Sequence, residues 1–283
     1  VSAREAAPVD GSATYRRLVA IKRRLPEWLR YRIDPYNTVA DRFVADEAEA
    51  LPCGLRVLDA GAGECRHKPL FAHTHYFGTD NGMGDEEDWD YTQLSFKSNL
   101  LALPVGDGSM DVVVSVNVLE HVSEPIGMLS ECRRVLREGG RLLLVAPQSW
   151  RLHQTPQDFF RFTQHGLDHA LTRAGFEDLE IEAVGGAFWN LGSRSLYLLT
   201  HFKGVWFPVA ILLSPLLGFL IPLLCFYLDR LDPEREDTLG YLVRARAPAR
   251  GSQAAARSIP RQSRRMSSPD LTAGPGGRLR GEA

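Results

Sequence analysis

The chain has 283 residues, 44% of them hydrophobic and 24% charged, with a formal net charge of −2. That length can bury a full core, and the near-neutral balance gives no overall pull toward nucleic acid. Cys53, Cys65, Cys132 and Cys225 form no CxxC pair and no small secreted pattern, which argues against a disulfide framework or zinc site and for a reducing compartment.

Residues 1–14 are small and polar, a composition that predicts no fixed structure. Residues 15–33, YRRLVAIKRRLPEWLRYRI, interleave apolar and basic side chains at helical spacing, with Pro26 starting a second helix or kinking the first. No apolar run of signal-peptide length accompanies these charges, so residues 1–37 read as a basic amphipathic arm and a cytoplasmic location is expected. Asn37 or Thr38 is the candidate cap of a helix that carries Val39, Phe43 and Val44 on one face.

From there the pattern alternates strand, turn and helix, which predicts a parallel sheet covered on both faces. Strands are expected at 55–59, 76–80, weakly within 92–99, at 111–117, 141–147, 178–184 and 239–246. A helix is expected at 124–137, with Ser123 as its cap, Pro125 in its first turn and Gly139-Gly140 as its stop; another is expected at 164–174.

Between the last two strands, residues 204–228 carry no charge and are long enough to span a bilayer. If the strand at 239–246 pairs antiparallel beside the one at 178–184, both ends of the insert emerge on one side of any membrane, and a single crossing is then excluded. Pro208, Pro215 and Pro222 recur through it, and a reversal at Ser214-Pro215 would divide it into halves of about 15–20 Å. A helical hairpin dipping into a membrane, or an interfacial helix pair, is therefore expected within 185–238, with a hydrophobic cover over the active site or a dimer contact as the alternatives. Residues 249–283 are rich in arginine and poor in large apolar residues, the composition of a flexible basic tail.

The candidate ligand loop is VLDAGAGECR at 57–66. A Gly-rich turn after a strand suits either a dinucleotide or S-adenosylmethionine, since both need close backbone approach. Arg66 stands where a dinucleotide fingerprint requires glycine, and Glu64 would repel a pyrophosphate, whereas a sulfonium and an ammonium are attracted to Asp59 and Glu64. Asp80, at the end of the second expected strand, suits the ribose hydroxyls. A nicotinamide oxidoreductase is thus disfavoured.

Together VLDAGAGE, YFGTD, LPVGDGSMDVVVSVNVLEHV, ECRRVLREGGRLLLVAP and DFFRFTQHGLDHALTRAGF resemble the class I S-adenosylmethionine-dependent methyltransferases of the methyltransferase type 11 group. The resemblance covers residues 38–184, the methyltransferase core, and the final strand within 239–248. It implies a Rossmann-like, doubly wound, mostly parallel seven-stranded sheet with the hydrophobic insert before the last strand. It implies S-adenosyl-L-methionine as cofactor, with Asp59, Gly61 and Gly63 on the methionine part and Asp80 on the ribose. The adenine contact falls to Asn99, with Asp90 as the substitute, and Leu103 and Val118 are candidates to sandwich the ring or, alternatively, core residues.

Methyl transfer from a sulfonium demands alignment and water exclusion, and a base only where the acceptor holds its proton. His121, after the fourth expected strand, is the candidate base. Glu120 reads as a cap or orienting group for the next helix. His153 and Asp158, in HQTPQDFF, resemble a segment covering the acceptor side in related enzymes, and Arg161 is a candidate to hold an anionic acceptor. Phe159, Phe160 and Phe162 read as lid or core packing. His73 and His75 lack a third nearby ligand, so no metal is expected. The expected function is O-methylation of a small or lipid-linked acceptor, such as a surface-glycan precursor or quinone-like lipid, by an enzyme peripheral to the cytoplasmic membrane face. The alternative is a non-catalytic S-adenosylmethionine-binding scaffold.

Overall fold

The computed structural model describes residues 24–83 and 90–249. The first part of the expected basic arm and nearly all of the expected tail lie outside those residues.

Helices α1 (Glu27–Ile33) and α2 (Pro35–Glu49) precede the sheet. The cap of α2 is Asp34, and Pro35 opens the helix, where its missing N–H leaves no bond unmade. Asn37 and Thr38, expected as caps, therefore lie inside the first turn, and the Thr38 hydroxyl donates to the Asp34 carbonyl at 3.4 Å.

Seven strands form one sheet: β1 Arg56–Ala60, β2 His75–Asp80, β3 Phe96–Lys97, β4 Met110–Val116, β5 Leu136–Pro147, β6 Glu177–Ala183 and β7 Gly240–Arg246. Their spatial order is β3-β2-β1-β4-β5-β7-β6, parallel except for β7, which runs antiparallel between β5 and β6. Helices α3 (Pro125–Val135) and α4 (Gln164–Arg173) cover one face. Glu124, not Ser123, precedes α3, because Pro125 again sets the start. That helix stops two residues short of expectation: Leu136 already has extended backbone and begins β5.

Strand alternation divides the core. Leu58, Val113, Leu142, Leu144 and Val243 meet Met128, Leu129, Cys132, Leu167 and Leu171 of α3 and α4. Val57, Val112, Val114, Leu143 and Val145 meet Ala40, Phe43, Val44 and Ala48 of α2. Both faces of β4 are therefore apolar, as a central parallel strand requires.

The insert begins with α5 (Ala187–Leu198) and returns through one helical run, Gly204–Leu231, made of α6 (Phe207–Pro215), a π turn (Leu216–Leu220) and α7 (Ile221–Leu228), with a 3₁₀ turn at each end. The expected reversal at Ser214-Pro215 is not found: residues 204–231 form one continuous run, and the chain turns instead at 202–204, between α5 and that run, where Gly204 has φ +57°. Two serines let the helix pass its prolines. Pro215 cannot donate to the Ile211 carbonyl, and the Ser214 hydroxyl does so at 2.8 Å. In the π turn the Ile221 N–H reaches back five residues to Leu216, so Pro222 leaves the Leu217 carbonyl without its donor; the Ser195 hydroxyl of α5 lies 2.8 Å from that oxygen and shares its proton between it and the Gly192 carbonyl at 2.7 Å. At the hairpin's base the Asp229 carboxylate accepts from the N–H groups of Gly186 and Trp189, and Asp232 accepts from Ala187, which closes α7 onto the start of α5.

Candidate functional site

The carboxyl ends of β1, β2 and β4 converge on the 61–65 loop. Gly61 has φ +88°, and a Cβ there would lie 2.3 Å from Val118 Cγ2, so the position needs both the backbone freedom and the small volume of glycine. The N–H groups of Gly61 and Ala62 both reach the Thr79 carbonyl, at 2.9 and 3.0 Å. Asp80 locks the loop to β2: its carboxylate accepts from Gly63 N–H at 3.0 Å and Gly82 N–H at 2.8 Å.

Asp59 is 2% exposed, and Tyr76 donates a 2.7 Å hydrogen bond to it. His67 stands between Asp59 (4.0 Å) and Asp41 (3.5 Å). Burial pushes the Asp59 carboxyl above its usual range, against the opposing pull of His67 and the Tyr76 hydroxyl. Tyr76 and His67 escaped the sequence reading because β2 and the segment after the loop bring them to Asp59 only in three dimensions. Glu64 is exposed and accepts from the Asp90 N–H at 3.2 Å. After the loop the chain forms a 3₁₀ turn, Lys68–Phe71, and not the long helix whose N-terminus would cradle a pyrophosphate.

On the expected adenine side, Asn99 is exposed and its Oδ1 accepts from Leu101 N–H at 2.9 Å; Asp90 likewise caps Thr92. Leu103 takes the core reading: it is 5% exposed and packed in the core, which leaves it no open face for a ring. Val118 is half-buried against Gly61 and remains at the loop.

The other side of the crevice holds two imidazoles. His121, in the 3₁₀ turn Leu119–His121 after β4, and His153, from the 148–162 segment, place their Nε2 atoms 3.0 Å apart with ring planes at 79°. His121 Nδ1 faces the Gln157 carbonyl at 2.7 Å. His153 Nδ1 faces the Arg151 carbonyl at 3.2 Å and Asp158 at 3.3 Å. Burial and the neighbouring His121 hold the His153 imidazole below its usual pKa. The segment is pinned to the turn by Phe159 and Phe160 N–H groups, both donating to the Glu120 carbonyl.

Glu120 caps nothing. It is fully buried, neither carboxylate oxygen has a hydrogen-bond partner, and burial pushes its pKa up to about 8. Arg161 is also placed differently from expectation. Its guanidinium pairs bidentately with Asp158 (2.6 and 2.8 Å), and its remaining three N–H groups go to the carbonyls of Trp150, Arg151 and Phe160. All five donors are engaged, so Arg161 has none left for an anionic acceptor; it shapes the segment instead. Phe162 is core, whereas Phe159 and Phe160 are exposed.

The family model described as a methyltransferase domain matches residues 58–144. The chain is 33% identical over 177 residues to an "Uncharacterized methyltransferase" of Mycobacterium sp. strain JLS, covering 61% of this chain and 67% of that one. It is 32% identical over 157 residues to a "Probable S-adenosylmethionine-dependent methyltransferase" of Mycolicibacterium smegmatis, covering 50% of this chain and 59% of that protein. Among solved structures it is similar to Haemonchus contortus phosphoethanolamine N-methyltransferase 2 with S-adenosyl-L-methionine: 14% identity, 84% of this chain, 59% of that one, TM-score 0.48. The chain belongs to the class I S-adenosylmethionine-dependent methyltransferases, whose methyl donor is S-adenosylmethionine.

Proposed function

We propose that this chain transfers the methyl group of S-adenosylmethionine to an oxygen of a small or lipid-linked acceptor at a membrane surface. The donor's methionine part sits over Gly61 and Gly63 beside Asp59, and its ribose hydroxyls meet Asp80, whose two oxygens each keep a lone pair beyond the backbone bonds they accept. Attack by the acceptor breaks the methyl–sulfur bond and leaves neutral S-adenosylhomocysteine, so the acceptor's own proton is the one that must be removed. The His121–His153 pair stands where that proton leaves, and Asp158 positions His153.

The observation that carries the acceptor class is the path from the insert to this pair. Val205, Trp206, Ile211, Leu212, Leu216 and Leu220 of the helical run are all exposed. Its partner α5 is tied to the 148–162 segment: Tyr197 meets the Trp150 ring edge-on at 5.0 Å, and Asn190 and Arg194 both reach Ser149. An amphiphile held by the apolar hairpin would thus present its polar end beside Trp150 and His153. Both ends of the hairpin return to the sheet, which suits insertion from one side only.

Incubation with labelled S-adenosylmethionine and, in parallel, a membrane lipid extract and a soluble metabolite pool tests this reading. Label is expected in the lipid-extractable fraction, as an ether or ester methyl. Label confined to water-soluble products, or to nitrogen, would overturn the acceptor assignment.

A further inference from the structure

We propose that Glu120, His121 and His153 form a binding site for a divalent transition-metal ion of the zinc class. One ligand atom from each lies within 4.8 Å of the others, with the two Nε2 atoms 3.0 Å apart and Glu120 Oε1 3.8 Å from His121 Nε2. Bonds of about 2.0–2.2 Å to a tetrahedral ion place its ligands about 3.3 Å apart, so small side-chain rotations would bring all three into range.

The hydrogen bonds around the two rings point the same way. Each Nδ1 faces oxygen acceptors: Gln157 O for His121, and Arg151 O and Asp158 for His153. Arg161 Nη2 is also near His153 Nδ1, at the outer limit of 3.5 Å, but its protons already serve Arg151 O and Asp158. A ring that donates from Nδ1 carries its lone pair on Nε2, and with both rings in that tautomer the two lone pairs would face each other across 3.0 Å. A cation between them removes the conflict. Donation of Nδ1–H to a carbonyl or carboxylate is also the usual orienting shell of metal-bound histidine.

Glu120 supplies the independent observation. It is wholly buried at the same place, with both carboxylate oxygens lacking a hydrogen-bond partner. A buried carboxylate in that state is costly unless it meets a positive charge. Two histidines and one glutamate make a three-ligand set that leaves an open fourth position, the composition of a catalytic rather than a structural zinc site. The site rests on this geometry alone; its consequence rests on the proposed function. With the ion bound, the ion and not a free imidazole would assist deprotonation: an acceptor hydroxyl at the open position would be acidified by it, its proton passing to solvent and its oxygen becoming the nucleophile.

The test uses the full, untagged chain stripped with a chelator, with near-ultraviolet circular dichroism as the check on folding. Titration with Co2+ is expected to give one equivalent of binding with ligand-field bands of a four-coordinate site, displaced stoichiometrically by Zn2+. His153→Ala and Glu120→Gln are each expected to weaken Zn2+ binding by at least tenfold while S-adenosylmethionine affinity stays within about twofold. Absence of stoichiometric binding in the folded wild type, or binding that survives His153→Ala, would overturn the site and leave the imidazoles sharing a proton. S-adenosylmethionine titrated into the same stripped protein separates the two readings: failure there would sink the proposed function without touching the metal result.

Discussion

Gly61 shows how tightly the donor loop is drawn at the residue scale. A methyl group added there meets Val118 at 2.3 Å and must accept φ +88°. Overpacking and left-handed backbone together cost about 2–4 kcal/mol. Gly61→Ala is therefore expected to lower the urea midpoint and abolish measurable S-adenosylmethionine binding; an unchanged midpoint would mean that Val118 yields freely. Asp80 makes a different case, because its carboxylate both holds Gly63 and is the candidate ribose ligand. Asp80→Ala should weaken donor binding by about 1–3 kcal/mol in a calorimetric titration, the scale of lost charged hydrogen bonds. Equal affinity in wild type and variant would remove Asp80 from the site. Both residues were visible in the motif. Tyr76, His67 and the Glu120 carboxylate were not, since nothing in VLEHV says that its acid is buried without a partner.

Elements are held together by a few polar knots. Arg134 of α3 donates to the carbonyls of Leu103 and Val105, to Asp107 and to Glu131, so one side chain fixes the LPVGD loop to the helix. Glu131 in turn accepts from Leu103 N–H. The Arg134 hydrogen bonds hold the Glu131 carboxyl below its usual range, against a smaller opposing effect of burial. A depressed carboxylate stabilises the fold above its ordinary pKa and ceases to do so as pH falls through the depressed value. Glu131→Gln should accordingly be less stable than wild type near pH 7, with the gap closing in acid; thermal midpoints from pH 7 to 3 check it, and a gap independent of pH would contradict the assignment. Within the insert, Ser195 answers the carbonyl that Pro222 leaves bare. Ser195→Ala should cost about 1–2 kcal/mol by urea unfolding. No loss would mean that water replaces the hydroxyl. The prolines had suggested a break at Ser214-Pro215; serine hydroxyls, from the next residue in one case and from another helix in the other, keep the run helical.

For the whole molecule, the question is what covers the hairpin. Leu212, Leu216 and Leu220 are 78%, 44% and 56% exposed on one helical run, so polar replacements there should leave the fold intact. Burial of one leucine in lipid is worth about 1.5–3 kcal/mol. L212S, L216S and L220S combined should reduce binding to anionic phospholipid vesicles by more than tenfold with little change in thermal midpoint; undiminished binding would assign this surface to another use.

The chain's own order of residues determined the doubly wound core. Continuous apolar strands such as DVVVSV, glycine at the end of β1, an acid at the end of β2 and proline-opened helices depend on local chemistry and period, and these are written one residue after another. Tertiary structure alone decided that β7 enters between β5 and β6, that the hairpin turns at 202–204, that Arg161 closes on Asp158, and that Glu120, His121 and His153 meet. Each of these pairs groups through space or consumes a donor that several partners could have claimed, and no spacing along the sequence records which partner wins.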